Sequence, residues 1–140
     1  MSPDRETRRK QQAAWYALNR EAIRTAKAEW YLQERARRLC YEARRRAKRK
    51  GIAFSLTAAE IADLQLRINA GVCEVTGVRL DLTRGRKWNA PSIDREDSSA
   101  GYTHDNLRIV CHALNAAMGD WGEGPVWEML QTWLRKRRNS

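Results

Sequence analysis

The N-terminal third of the chain has the hydrophobic pattern of a long amphipathic helix. Residues 11–50 contain neither proline nor glycine, and strong helix formers dominate. Apolar residues recur mostly every third or fourth position, which places them on one helix face: Trp15, Leu18, Ala22, Ala26, Trp30, Ala36, Leu39, Ala43 and Ala47. A single helix of this length would span roughly 60 Å, so we expect it either to break once, with residues 19–21 as a candidate internal start, or to project as an arm.

The pattern changes after Gly51, which we expect to end this helix. Thr57 and Glu60 form the sequence signature of a capping box, and this predicts a new helix start. The same helix should end at residues 69–71, where Asn-Ala-Gly provides a stop. Two short apolar runs flank Thr-Gly within residues 73–82 and predict a hairpin.

A final helix is predicted to open at Gly124-Pro125, since proline suits the first helical turn. Its apolar positions predict a buried face, made of Val126, Trp127, Leu130, Trp133 and Leu134. The elements together predict an α+β chain with a helical arm at residues 1–50 and a small domain at residues 51–140, closed by the C-terminal helix.

Charge separates the same two regions. Residues 1–50 contain 16 basic and 6 acidic side chains, whereas residues 51–140 contain 11 of each, so the arm carries the whole net charge of +10. This segregation indicates a polyanionic partner, with nucleic acid ahead of a membrane surface. The first residues lack the apolar core expected of a signal peptide, no apolar run approaches the length of a membrane span, and three cysteines fit a reducing compartment. We therefore expect a cytoplasmic, DNA-binding protein without a membrane partner.

The densest positive charge lies at the end of the arm, where six of seven residues are basic. Helix capping needs fewer charges than this, and neighbouring cations repel one another, so phosphate binding is favoured over a solvated face. A polar loop further along adds basic residues beside Trp88. The predicted DNA contacts are Arg44, Arg45, Arg46, Lys48, Arg49, Lys50, Arg86 and Lys87.

Candidate chemistry is concentrated in residues 91–121. Asp94, Asn106 and Asn115 stand 12 and 9 residues apart, and the turn at residues 101–103 reads Gly-Tyr-Thr. The Ser-Ile-Asp-Arg motif, the turn and the following Asn-Leu-Arg-Ile-Val-Cys segment resemble HNH endonucleases of the ββα-metal (His-Me finger) type, especially small phage-encoded ones. The resemblance runs from about Arg44 onward.

This resemblance implies a ββα-metal domain that nicks or cleaves DNA. Asp94 and Asn115 would bind one Mg²⁺ or Mn²⁺ per site, because such hard cations prefer a few protein oxygens together with water and phosphate. By the same analogy, Asn106 would brace the loop and orient the catalytic residue. A plain turn asparagine is the alternative interpretation.

Two features depart from the family's pattern. Arg95 stands where the family has the histidine that activates water, and an arginine cannot accept a proton, so Arg95 is interpreted as a phosphate clamp. The base would then be His104, our first choice, or His112, Tyr102 or a metal-bound hydroxide. The second departure is that Cys73 and Cys111 each lack a Cys-x-x-Cys partner. We therefore predict no structural zinc and expect these two cysteines to be buried thiols that face each other.

Other functions remain open at the level of sequence. Arg95 is also consistent with a catalytically weak or inactive HNH-like accessory protein that binds or packages DNA. A nuclease that resolves branched DNA junctions is another alternative. The apolar face of the arm would also suit a helical interaction protein, or a homodimer formed through the arm.

Overall fold

The computed structural model describes residues 2–140, which form five α-helices, one 3₁₀ turn and a two-stranded antiparallel sheet. This confirms the predicted α+β class. The elements in chain order are α1 (Arg5–Gln33), α2 (Arg35–Lys50), α3 (Ala58–Asn69), β1 (Pro91–Arg95), the 3₁₀ turn (His104–Asn106), β2 (Leu107–Cys111), α4 (His112–Met118) and α5 (Glu123–Arg138).

The long helix breaks at Glu34, and a side chain from α3 explains the break. Gln65 Oε1 accepts a hydrogen bond from Ala36 N at 2.8 Å, and Gln65 Nε2 donates to Leu32 O at 2.9 Å. In an unbroken helix Ala36 N–H would donate directly to Leu32 C=O, so the Gln65 amide stands in place of that bond. The predicted start near Asn19 is wrong, since Asn19 lies inside α1.

The two halves of the predicted arm differ in packing. α1 contributes no buried residue, and Trp15 and Trp30 are each more than half exposed. α2 instead lies against the core through small side chains, namely Ala36, Cys40, Ala43 and Ala47. The projecting arm is therefore α1, whereas residues 35–50 belong to the folded body. Within residues 2–140, no helix combines the length and the apolar character needed to cross a membrane.

The core lies between α2, α3 and the sheet, with Leu64 and Ile109 completely buried. α3 begins with the predicted capping box, in which Glu60 N donates to Thr57 Oγ1 at 3.2 Å and Thr57 N donates to Glu60 Oε2 at 2.7 Å. The backbone at Gly51 is left-handed, with φ of 66°, and ends α2 as predicted.

The sheet and α4 form one continuous unit. β1 pairs antiparallel with β2, so that Asp94 lies opposite Arg108 and Pro91 opposite Cys111. α4 follows β2 without a linker and packs on both strands. The segment that joins the strands also contacts the lead-in to α3, where Tyr102 N donates to Ala53 O at 2.8 Å.

The hairpin predicted at residues 73–82 is a tight turn rather than a pair of strands. Cys73 N donates to Val78 O at 2.8 Å, and one isolated bridge joins Val72 to Arg79. The neighbouring Glu74 N donates to Ile109 O at 2.8 Å instead. The segment is thus hydrogen-bonded to β2, and only one bridge forms between its own two sides.

α5 begins one residue before the predicted start, and most of its predicted buried face is exposed. Val126 alone among those residues is buried. The prediction is wrong for the others, which are between 43% and 63% exposed: Trp127, Leu130, Trp133 and Leu134. The reason is geometric, since the main packing of α5 is on α4, a helix of seven residues, and the rest of α5 extends beyond it.

Candidate functional site

A cavity of about 630 Å³ lies between α2, β1, α4 and the loop at residues 85–87. Four of the side chains that the sequence singled out line it together, namely Asp94, Arg95, His112 and Asn115. The cavity is therefore the place where the predicted metal ligands, the unusual arginine and one of the two histidines meet.

Asp94 is held from one side only. Its side chain is nearly buried, and its Oδ2 accepts hydrogen bonds from Arg108 Nη2 at 2.7 Å and Nε at 3.2 Å. The other half of the Arg108 guanidinium pairs with Glu123 on α5. Burial disfavours charge on Arg108, but the hydrogen bonds to the two carboxylates outweigh burial and raise its pKa. Among residues 2–140, nothing donates a hydrogen bond to Asp94 Oδ1.

Asn115 is oriented by β1. Its Nδ2 donates to Ser92 Oγ at 2.7 Å and to Ile93 O at 3.2 Å. A backbone carbonyl accepts and never donates, so the contact with Ile93 places the amide nitrogen on the strand side and the oxygen on the other side. Within the described chain, Asn115 Oδ1 accepts no hydrogen bond. His112 lies three residues earlier, on the same face of α4.

The donor set suits a hard divalent cation. Asp94 and Asn115 offer a carboxylate and an amide oxygen on one cavity wall, and both types are ligands that Mg²⁺ and Mn²⁺ accept. No cluster of three or more His, Cys, Asp or Glu side chains with a metal-binding arrangement occurs in residues 2–140. Water and substrate phosphate would have to complete such a coordination shell, as is usual for Mg²⁺.

Arg95 is partly committed to the loop that follows β1. Its Nη1 donates to Ser98 O at 2.8 Å and to Ala100 O at 2.7 Å. The guanidinium also lies over the Tyr102 ring, 5.1 Å from its centroid. One of the three guanidinium nitrogens, Nη1, is therefore used to hold this loop. Only Nε and Nη2 remain to donate to a phosphate.

Asn106 ties the same loop from its opposite end. Its Oδ1 accepts from Asp97 N at 2.9 Å, and its Nδ2 donates to Asp97 O at 3.0 Å and to Gly101 O at 2.9 Å. Gly101 is constrained as well, since a Cβ there would lie 2.7 Å from Ala53 O. Asn106 thus acts on backbone groups and does not line the cavity.

His104 lies apart from Asp94. It does not line the cavity, and its Nε2 lies 2.7 Å from Asp63 Oδ2 on α3. The hydrogen bond with Asp63 raises the pKa of His104. The structure therefore does not bring the first-choice base to the predicted metal ligands. Of the alternatives, His112 and the largely buried Tyr102 do line the cavity.

Half of the predicted DNA contacts line the cavity, namely Arg46, Lys50, Arg86 and Lys87. The other four, Arg44, Arg45, Lys48 and Arg49, do not. Sequence reasoning missed Arg35 and Arg38, which line the cavity from α2. Their spacing puts them on the same helix face as Arg46, and this spacing could have predicted that all three arginines lie on one side of α2. Strand alternation likewise puts Ser92 on the same face of β1 as Asp94, and Ser92 was also missed.

The three cysteines, Cys40, Cys73 and Cys111, are buried free thiols. Burial raises the pKa of Cys40 to about 11. For Cys73 burial acts in the same direction, but hydrogen bonds from Thr76 and nearby backbone outweigh it and lower the pKa. Cys73 and Cys111 both lie in the hydrophobic core, where thiols pack as small apolar side chains.

Comparisons of the chain with protein-family models, with curated proteins and with solved structures found no match.

Proposed function

We propose that this chain is a metal-dependent DNA endonuclease of the HNH type, and that it cuts a phosphodiester bond in the cavity beside β1 and α4. One observation carries the proposal. Asp94 and Asn115 line the same cavity, the Oδ1 atom of each accepts no hydrogen bond within residues 2–140, and seven basic side chains line that cavity with them.

The charges around the cavity favour a phosphate backbone. Seven basic side chains line it against three acidic ones. Cations that converge on one cleft attract a polyanion and release its condensed counterions. The basic residues are Arg35, Arg38, Arg46, Lys50, Arg86, Lys87 and Arg95, and the acidic residues are Glu42, Asp94 and Asp120.

The order of elements supports the same proposal. β1, β2 and α4 follow one another, with Asp94 on the first strand and Asn115 on the helix. Of the three residues, Asp94 and Asn115 line the cavity, and Asn106 is hydrogen-bonded to the loop beside it. The resemblance implies metal binding for Asp94 and Asn115 and loop bracing for Asn106, and these positions are compatible with those roles.

Each residue has a role in this proposal. Asp94 and Asn115 would hold Mg²⁺ or Mn²⁺, which when bound stabilises negative charge on the scissile phosphate and on the leaving oxygen. His112 accepts a proton from the attacking water at an imidazole nitrogen that, within the described chain, accepts no hydrogen bond. Arg46 and Arg86 neutralise the backbone, and Asn106 together with Arg95 keeps the loop beside β1 in place.

Cleavage of supercoiled plasmid in Mg²⁺ or Mn²⁺ tests the proposal. We expect Asp94→Asn to lower the cleavage rate by roughly 100-fold or more, since it removes a charge that acts at the reacting phosphate. Glu96→Gln is the matched control, because Glu96 lies two residues away, is exposed and does not line the cavity. Equal cleavage by both variants would refute the assigned site.

The ion pair between Asp94 and Arg108 favours a second candidate, a DNA-binding protein that does not cleave. An aspartate that is already neutralised attracts a cation less strongly. Salt-sensitive DNA binding without cleavage in either metal, and without any effect of Asp94→Asn on binding, would establish that alternative.

A further inference from the structure

α1 has an apolar face that nothing in the described chain covers. The helix has 29 residues, which span roughly 43 Å, and none of them is buried. Trp15, Leu18 and Trp30 lie on this face and are 54%, 86% and 56% exposed. Helices in proteins obtain most of their stability from packing an amphipathic face, and a long exposed apolar face marks an interaction site. A partner of similar length would cover it.

The cations in the body of α1 lie on another side of the helix. Within residues 11–33 the basic residues are Arg20, Arg24 and Lys27, and their spacings of four and three put them together on one face. That face is turned away from Trp15 and Leu18. A polyanion that binds these cations would therefore leave the apolar face uncovered, so the apolar face needs a different partner.

The apolar face has opposite charges at its two ends. Four residues of this face follow one another at intervals of seven, namely Arg8, Trp15, Ala22 and Glu29. Seven residues are close to two helix turns, so these side chains form one line along the helix. Residues 5–10 contain four basic and one acidic side chain, whereas residues 28–34 contain two acidic and no basic ones. The line is thus positive where α1 begins and negative where it ends.

This order of charges is unfavourable for an isolated helix. The helix dipole favours acidic side chains at the N-terminal end and basic ones at the C-terminal end. In addition, no lysine or arginine stands three or four residues from Glu29, so no neighbour on the helix surface compensates it. An antiparallel helix of the same sequence compensates both ends at once, because it places its negative end beside the positive end of α1.

We infer that α1 is a dimerisation surface that pairs antiparallel with α1 of a second copy of this chain. Arg8 then faces Glu29 of the second copy, and Trp15 faces Ala22 of the second copy, so that a large side chain meets a small one. A two-fold axis between residues 18 and 19 relates the helices, and each contact occurs twice. The two folded bodies lie at opposite ends of the pair, because α2 follows the C-terminal end of α1.

Sedimentation equilibrium of the full chain without DNA tests the inference, and we expect a dimer at about 50 μM. Ala22→Glu should weaken association at least 100-fold, because it places an unpaired carboxylate inside the contact. Ala17→Glu is the matched control and should change association less than three-fold, since Ala17 is also exposed but lies about 140° away around the helix.

Three results of this experiment would overturn the inference. The first is a monomeric wild type at this concentration. The second is equal association of Ala22→Glu and Ala17→Glu. The third is a dimer that survives Ala22→Glu but is lost in Trp133→Glu, which would place the contact on the exposed face of α5.

Charge reversal tests the antiparallel orientation. Arg8→Glu and Glu29→Arg should each weaken the dimer about ten-fold, because each turns two attractive contacts into repulsive ones. The double variant restores both contacts and should associate within about three-fold of the wild type. Each single change improves the match with the helix dipole, so loss of the helix cannot explain a weaker dimer. Single variants that associate like the wild type, or a double variant as weak as the single ones, would overturn the antiparallel pairing.

Discussion

Asn106 illustrates how one side chain can hold the loop beside a cavity without lining the cavity itself. Its amide group closes both ends of the loop at residues 97–101 with three hydrogen bonds to backbone groups. Two of these bonds use the amide N–H₂ as donor, which a carboxylate cannot replace. The loop in turn provides the carbonyls that hold Arg95.

Asn106→Asp should therefore destabilise the fold although it is nearly isosteric. We expect a loss of about 2 kcal/mol in the free energy of unfolding, since two backbone carbonyls lose their donor and face a carboxylate. Urea denaturation measures this change. Asn19→Asp, on the exposed arm, is the control and should cost less than about 0.5 kcal/mol. A stability equal to that of the wild type would show that these bonds contribute little.

His104 and Asp63 should make stability depend on pH. The hydrogen bond with Asp63 raises the pKa of His104 above its ordinary value of 6.5. A raised pKa in the folded state means that the protonated histidine stabilises the fold below about pH 6.5, and that this contribution is lost as the pH rises through the folded-state pKa.

The stability difference between the wild type and His104→Gln should accordingly be larger at pH 5.5 than at pH 8.5. Urea midpoints at the two pH values provide the measurement. The stability difference between the wild type and Asp63→Asn should likewise be larger at pH 5.5 than at pH 8.5, because this variant also removes the interaction of His104 with Asp63. A constant difference across this range would contradict the ion pair.

At the scale of single residues, the sequence pointed to some side chains that line the cavity but could not choose between its two histidines. The resemblance to HNH endonucleases pointed to Asp94 and Asn115, and both line the cavity. The base was not identified, because His104 and His112 are equivalent in a sequence and differ only in the tertiary contacts they make. His104 turns toward α3, and His112 lies on the face of α4 that forms the cavity wall.

The break between α1 and α2 is an effect at the scale of elements. Gln65 reaches from α3 and satisfies both backbone groups that the break leaves open. Helix propensity alone predicts a continuous helix here, since residues 11–50 contain no breaker. The contact spans 29 residues of sequence, and so no local pattern could have revealed it.

Gln65→Leu should show how much this contact matters. The variant either leaves Ala36 N–H and Leu32 C=O without partners or forces α2 to realign on α3, and each result should cost about 1–3 kcal/mol of unfolding free energy. Gln65→Glu keeps an acceptor for Ala36 N–H and should lose less. If both variants unfold at the wild-type urea concentration, the inserted amide does not hold the break.

Other elements show the same division between local and tertiary information. The capping box of α3 and the glycine stop of α2 depend on a few adjacent residues, and both are confirmed. The buried face of α5 depends on what lies opposite it, and α4 is too short to cover it. An amphipathic pattern predicts that a face is apolar, but not that a neighbour within the chain covers that face.

For the whole molecule, charge and packing divide the chain at different points. The excess of positive charge covers residues 1–50, but α2 within that range forms part of the folded body. α1 is the part that projects, and it contributes no buried residue. The cations of α2 therefore belong to the folded body, and this position allows several of them to line the cavity.

A chain that lacks residues 2–28 should fold nearly as stably as the full chain. We expect its unfolding free energy to change by less than about 1 kcal/mol, because no buried side chain is lost. Its affinity for DNA should fall and depend less on salt, since basic residues of α1 are removed. Circular dichroism with urea, and anisotropy at several salt concentrations, give both results. Global unfolding of the shortened chain would contradict the division proposed at Glu34.

The most direct test of the central claim separates DNA binding from cleavage in a single variant. Asp94→Asn and the wild type are compared for DNA affinity in EDTA and for cleavage of the same DNA in Mn²⁺. We predict that the variant binds within about three-fold of the wild type but cleaves roughly 100-fold or more slowly, since Asp94 is the proposed metal ligand and most of the lining cations lie on α2 and the loop at residues 85–87. Cleavage by Asp94→Asn at the wild-type rate, or no metal-dependent cleavage by the wild type, would contradict the claim that this cavity is a nuclease site.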